Sequence, residues 1–166
     1  MIRETNISIM HDVVKSTAAK LYERAIKKVP EDVKEALNRA VEAEAIESAR
    51  QTLKSMLRNA DASEKTDNLL CPDVGIPVYY IKVGTKVKLE TDLKYSITKG
   101  FEDLVKTIKP PLFKLITDPL TLERDQAGEG VPIVSFDLIH DADYIEMTCA
   151  PRGFGCGLWA TLQIFN

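Results

Sequence analysis

The sequence predicts an α/β (α+β) protein in which N-terminal helices pack on a small mixed or antiparallel sheet. Two observations support this fold class. Apolar residues recur at helical spacing through the first third of the 166-residue chain, whereas β-branched and aromatic runs between glycine and proline turns dominate the rest. We therefore expect a single domain over 1–166, helical over 1–62 and mixed strand and helix over 63–166.

Two helices are expected in the N-terminal part. The first presents an apolar face and ends at Pro30, and the second begins with Glu31-Asp32, acidic residues suited to a helix N-terminus. A long apolar stripe in the second helix, including Val33 and Leu57, predicts packing on a core. The polar segment 61–68 predicts the end of this helix.

The remaining elements are predicted in order along the chain. The β-branched run 76–83 favours a strand, and the helical spacing of apolar residues over 91–108 favours a helix that stops at Pro110-Pro111. Residues 112–131 predict a long loop, mobile or functional. The runs 133–139 and 144–149 flank a short turn and predict a β-hairpin, followed by a glycine-rich segment and an apolar C-terminal stretch.

Composition limits the class of protein. Hydrophobic residues make up 45% and charged residues 28%, as in a soluble globular protein. A net charge of -3 argues against a nucleic-acid partner. With no run long enough to span a bilayer and no signal-peptide pattern, we expect no membrane partner and a cytoplasmic location. Three cysteines suggest reduced thiols or metal ligands.

Cys71 is the first candidate for chemistry. It lies in a turn, Leu70-Cys71-Pro72-Asp73-Val74-Gly75, where proline and glycine fix the backbone before a strand. A thiolate there suits a soft metal or an iron–sulfur cluster, and Asp73 could reach a ligand held at the same point. Spacing alone nevertheless favours a buried free cysteine.

The other cysteines differ in their settings. Cys149 ends an alternating strand and is predicted on a strand face, whereas Cys156 lies in the glycine-rich segment and is the better site candidate. No Cys-x-x-Cys occurs, which argues against a zinc ribbon. The glycine-rich segment lacks the Gly-Lys-Ser/Thr ending of a phosphate loop.

The turn at Cys71 resembles a motif of a known family. Cys71-Pro72-Asp73-Val74-Gly75 is similar to the Cys-Gln-Asp-Thr-Gly segment of class I iron–sulfur fumarate hydratases and L(+)-tartrate dehydratase α subunits. Further segments follow in the family's order over nearly the whole chain, as its N-terminal portion: Val78 to Gly84, Asp118-Pro119-Leu120, Gln126 to Pro132 and Ala150 to Cys156.

The resemblance implies a hydro-lyase with a 4Fe–4S cluster held by three cysteines. Such an enzyme reversibly dehydrates a 2-hydroxy dicarboxylate, either malate to fumarate or tartrate. Cys71 maps to the first cluster ligand, and Asp73, Arg152 and Gly155 map to substrate-binding positions. The resemblance places no catalytic residue within this chain. The other ligands and the base are expected on the C-terminal half or a β subunit, which are the expected partners.

Several departures from the family pattern leave an alternative open. Proline replaces glutamine at Pro72, arginine replaces lysine at Arg152, and Phe154 stands for a glycine. The alternative is a non-catalytic relative that acts as an interaction or assembly module. In either case, the apolar residues near the C-terminus predict a partner surface, and a homo-oligomer such as a dimer is expected.

Overall fold

The computed structural model describes residues 2–155, with side chains from residue 10 onward; the predictions for Cys156 and the apolar C-terminal stretch lie outside this range. Four helices and five strands form within it: α1 (Ile2–Lys27), α2 (Glu31–Ala43), α3 (Glu47–Thr66), β1 (Ile76–Gly84), α4 (Leu93–Thr107), β2 (Ile116–Thr117), β3 (Arg124–Asp125), β4 (Ile133–Ile139) and β5 (Ile145–Arg152). The α+β class is confirmed.

The main sheet has three strands in the order β4-β1-β5. Strand β4 runs parallel to β1 and β5 runs antiparallel to it. The sheet is therefore mixed, which is one of the two forms predicted from the sequence. The predicted hairpin of β4 and β5 is wrong, because β1 lies between them. The connection crosses the end of β1, where the Gly84 amide donates to the Tyr144 carbonyl and the Lys86 amide to the Ala142 carbonyl.

The core lies between α1, α4 and one face of the sheet. Tyr79, Ile81 and Val83 alternate along β1 and are buried on this face, as the period of a half-buried strand requires. Their partners are buried residues of the two helices: Val14, Ala18, Tyr22 and Ile26 of α1, and Leu93, Ile97 and Phe101 of α4. The Tyr22 and Phe101 rings meet edge to face, with centroids 5.3 Å apart.

The start of α4 follows from a local signal. The carboxylate of Asp92 accepts a hydrogen bond from the Tyr95 amide at 2.9 Å, as an N-cap does. The helix therefore begins two residues later than the predicted 91–108 and ends one residue earlier. None of the helices in the described part of the chain is both long and apolar enough to cross a membrane.

The predicted second helix is in fact two helices, α2 and α3. The backbone turns extended at Glu44, and α3 then continues through the polar segment 61–66, where a break was predicted. Tertiary contacts explain the extension. Ala60 and Ser63 are buried, and the Ser63 hydroxyl donates to the Lys27 carbonyl at 3.0 Å.

Helix α2 does not belong to the core, contrary to the prediction. It buries no residue. It packs on α3, and apolar side chains of this helical hairpin stay exposed: Val33 at 43%, Ile46 at 65% and Met56 at 50%. The apolar stripe in the sequence is real, but within residues 10–155 only part of it is covered.

Candidate functional site

Two sequence segments meet at the N-terminal end of β1. One is the turn from Cys71 to Gly75, called here the cysteine turn; the other, from Arg152 to Gly155, is called here the glycine segment. Ile76 pairs with Arg152 in the sheet, which brings the segments together. A Cβ placed on Gly75 would lie 1.9 Å from the Arg152 carbonyl oxygen, so only glycine permits this contact.

Asp73 joins the two segments directly. One carboxylate oxygen, Oδ1, accepts the Phe154 amide at 3.2 Å, and the other, Oδ2, accepts the Gly155 amide at 2.7 Å. The backbone at Phe154 and Gly155 is helical, so both N–H groups point in one direction. Asp73 therefore fixes the glycine segment, and half-burial of its side chain strengthens this contact.

Gly75 is held from two further directions. Its φ of 67° lies in the left-handed region, and its buried carbonyl accepts two hydrogen bonds. The Tyr22 hydroxyl of α1 donates at 3.0 Å, and the Gln126 side-chain amide, from the long loop, donates at 3.1 Å. Burial raises the pKa of Tyr22, so the hydroxyl keeps its proton as a donor.

The chain entering the cysteine turn is also fixed. The Leu70 amide donates to the Ile26 carbonyl at 2.9 Å, and the Leu70 carbonyl accepts the Asn59 side chain at 2.8 Å. Just before it, Asp67 binds the buried Lys27 ammonium at 3.0 Å. Cys71 thus lies between Leu70 and Asp73, two anchored residues.

Cys71 itself is exposed. This corrects the interpretation favoured by spacing alone, a buried free cysteine. Cys149 is half-buried on the core face of β5, opposite Tyr79, as predicted. Burial raises the pKa of Cys149 to about 12, so at neutral pH it is a neutral thiol and a poor metal ligand.

The donor set fits part of a metal centre rather than a whole one. Among residues with described side chains, no three histidine, cysteine, aspartate or glutamate residues are grouped so as to hold a metal ion. Cys71 offers one soft ligand from a rigid turn, as a single corner of a cluster requires. The remaining ligands would have to come from elsewhere.

Arg152 and Gly155, the other predicted site residues, lie at the same end of the sheet. Arg152 is exposed at the end of β5, and the amide of Gly155 is occupied by Asp73. Asp118, in the long loop, is an exposed turn residue: its carboxylate accepts the Leu120 and Thr121 amides at 2.7 and 2.9 Å. These amides lower the pKa of Asp118.

Tyr22, Gln126 and Asn59 were missed as site residues. Tyr22 lies on an apolar helix face, where helical spacing predicts a core residue. Gln126 lies in a loop with no periodic pattern, although it is 3% exposed and belongs to the loop motif that resembles the family. A polar residue inside a family-like motif is the one signal that could have indicated it.

Fold and site together define an α+β domain in which a fixed turn presents a thiol at the start of the central strand. The chain belongs to the fumarate hydratase (Fumerase) family, whose model matches residues 15–166. The resemblance inferred from the motifs is thereby confirmed.

Individual relatives agree with the family assignment. The chain is 28% identical over 162 residues to the "Putative L(+)-tartrate dehydratase subunit alpha" of Methanocaldococcus jannaschii, covering 92% of this chain and 55% of that protein. It is 28% identical over 134 residues to the L(+)-tartrate dehydratase subunit alpha of Escherichia coli strain K12, covering 79% of this chain and 43% of that protein. The chain therefore spans about half the length of these relatives.

Proposed function

We propose that this chain is part of an iron–sulfur-dependent hydro-lyase that reversibly dehydrates a 2-hydroxy dicarboxylate of the malate or tartrate type. The observation that supports it best is the exposed thiol of Cys71 between anchored residues, in the turn that Asp73 joins to the glycine segment. Family membership and two relatives named as tartrate dehydratase α subunits support the same chemistry.

In this proposal Cys71 is one of three thiolate ligands of a 4Fe–4S cluster. When bound, the cluster supplies a Lewis-acidic iron that polarises the substrate's hydroxyl and carboxylate. The rigid turn fixes the thiolate before the metal arrives, which reduces the entropy lost on binding. The other two cysteines and the general base belong to the C-terminal half of the α chain or to a β subunit.

The substrate would lie against the glycine segment. The exposed guanidinium of Arg152 is suited to bind a substrate carboxylate through two parallel N–H donors. Asp73 holds the Phe154 and Gly155 amides, so its first role is to shape the pocket wall. A direct contact of Asp73 with substrate would share a carboxylate that already accepts two hydrogen bonds.

Anaerobic reconstitution with iron and sulfide tests the cluster. The chain is incubated with iron and sulfide, alone and together with the products of adjoining reading frames, and the absorbance at about 400 nm is followed. We expect a brown species in the complemented sample that Cys71→Ser abolishes. The matched control is Cys149→Ser, the same substitution at the sheet cysteine, which should retain the species.

The outcomes separate enzyme from module. Absence of the species from every combination, or its persistence in Cys71→Ser, would contradict the cluster proposal. A partner that binds the chain with no cluster and no hydratase activity would favour an interaction or assembly module. The partly uncovered apolar stripe of α2 and α3 is the observation that favours this second candidate.

Arg152 gives a test of the substrate class. In an active complex, Arg152→Ala should raise KM for the dicarboxylate by about ten- to a hundredfold, because a charge-assisted hydrogen bond is lost. Arg152→Lys, which restores the family residue, should recover most of the binding. A KM unchanged in both variants would place the substrate carboxylate elsewhere.

A further inference from the structure

The carbonyl of Gly75 is a convergence point of two buried polar side chains. Tyr22 is fully buried and Gln126 is 3% exposed, and both donate to this one oxygen at 3.0 and 3.1 Å. We propose that Tyr22 and Gln126 are positioning residues that hold the cysteine turn in the shape that presents Cys71. This inference rests on the proposed function of Cys71 as a cluster ligand.

The arrangement answers a specific physical need. A left-handed residue at the start of a strand turns its carbonyl away from the ladder, and a buried carbonyl without a partner costs free energy. Two elements distant in sequence supply the donors: α1 through Tyr22 and the long loop through Gln126. Both lone pairs of the oxygen are thereby used.

Movement at Gly75 would be passed on to Cys71. The residues between them have little freedom: Pro72 has a fixed φ, Asp73 is bound to the glycine segment, and Val74 is buried at 5% exposure. A rotation of the Gly75 peptide would therefore tilt the whole turn. The effect on Cys71 is indirect, through the backbone.

Gln126 adds a link to the long loop. Its side-chain oxygen faces the Leu115 amide at 3.4 Å, while its amide nitrogen binds Gly75. Leu112, Ala127 and Val131 of the loop pack against the core through apolar contacts, and Gln126 adds the hydrogen bond that joins the loop to the cysteine turn. Removing the Gln126 side chain would take one of the two hydrogen bonds from the Gly75 carbonyl and leave the loop held by its apolar contacts.

The chain offers a matched control for Tyr22. Tyr79 is also a fully buried tyrosine, and its hydroxyl donates to a backbone carbonyl, that of Ala18, at 2.8 Å. That acceptor lies inside α1, away from the cysteine turn. Tyr22→Phe and Tyr79→Phe therefore remove the same kind of hydrogen bond and differ in whether the turn loses a tether.

The experiment measures the 166-residue chain itself. Hydrogen exchange of the Phe154 and Gly155 amides, which Asp73 protects, reports how firmly the turn is held, and urea unfolding reports global stability. We expect exchange about tenfold faster in Tyr22→Phe and Gln126→Leu than in Tyr79→Phe, after correction for global stability. In the reconstituted complex, the first two variants should also lose the cluster faster.

Equal exchange in Tyr22→Phe, Gln126→Leu and Tyr79→Phe would overturn the positioning role. Gln126→Leu keeps the test decisive if Tyr22→Phe does not fold, because Gln126 lies in a loop outside the core cluster. Because exchange is measured without metal, a failure here differs from failure of the cluster proposal. Suppose that the Phe154 and Gly155 amides exchange faster in Tyr22→Phe and Gln126→Leu, but the wild type binds no cluster. That result would support the positioning role and refute only the cluster proposal.

Discussion

Two cysteines of the part of the chain that the structure describes differ in their surroundings. Cys71 is an exposed residue of a turn whose other residues are tied by hydrogen bonds to α1, α3, the long loop and the glycine segment. Cys149 lies within a strand, half-buried against Tyr79, with its pKa raised to about 12 by burial. The difference teaches that a ligand-ready thiol needs an accessible sulfur on an immobile backbone, whereas Cys149 is a small apolar residue of the core.

The largest expected difference is in thiol reactivity. At pH 8 a thiol with a pKa of about 12 is ionised in about one molecule in ten thousand, and burial restricts access further. We expect iodoacetamide to modify Cys71 at least about a thousandfold faster than Cys149 in the native chain. Peptide mass spectrometry resolves the sites, and the two rates should converge in denaturant. Comparable native rates would remove the basis of the comparison.

Next in size is the effect of closing the space beside Gly75. Gly75→Ala would push a methyl group against the Arg152 carbonyl and place alanine at φ 67°, so we expect a loss of about 4 kcal/mol or more, or failure to fold. Gly130 is the control, because it has φ 79° with nothing within 4 Å of an added Cβ. Gly130→Ala should cost only about 1 kcal/mol in urea unfolding. Similar losses would mean that the contact with the glycine segment is not tight.

A smaller effect is expected from Asp73. Asp73→Asn keeps the shape but turns one acceptor into a donor facing an amide, so one hydrogen bond to the glycine segment is lost at a cost of about 1–2 kcal/mol. Asp118→Asn changes a carboxylate with two amide contacts in an exposed turn and should cost less. Urea unfolding measures the loss of stability in each variant. If Asp118→Asn loses as much stability as Asp73→Asn, or more, Asp73 does not fix the glycine segment.

The smallest effect concerns Cys149 and alkaline pH. Its folded pKa of about 12 exceeds the unfolded value of about 8.5, so the unfolded state loses its proton first as pH rises. The protonated Cys149 thiol therefore contributes its full share of folding stability below about pH 8.5, and this contribution declines as the pH rises further. Between pH 8 and 9.5 the wild type should lose about 1 kcal/mol more than Cys149→Ala. Parallel stability profiles would indicate that the thiol is more exposed than the structure has it.

Elements with local signals were predictable from the sequence. The alternation of β1 and the capping residue Asp92 of α4 each determine structure within a few residues, so those elements fall almost where expected. The hairpin of β4 and β5 was predicted wrongly because strand order depends on distant pairing with β1. The end of α3 was missed for a similar reason, since Ser63 is held by Lys27 of another helix.

The site divides in the same way. Cys71, Asp73, Arg152 and Gly155 were found because they belong to short motifs, although their roles as ligand and substrate contacts remain predictions. The contact of Asp73 with Phe154 and Gly155 was not predictable, because it joins motifs far apart in sequence. Tyr22 and Gln126 were invisible for the same reason: their shared acceptor is more than fifty positions away.

The strand order β4-β1-β5 also sets a sequence of events during synthesis. The central strand leaves the ribosome first, and neither neighbour can join it until roughly fifty to seventy further residues have been made, as expected for non-local pairing. Val78 and its neighbours must wait unpaired in the nascent chain through that interval. The cysteine turn is therefore among the last parts to be completed, and a chain that stops before Arg152 should hold Cys71 without the backbone that fixes it.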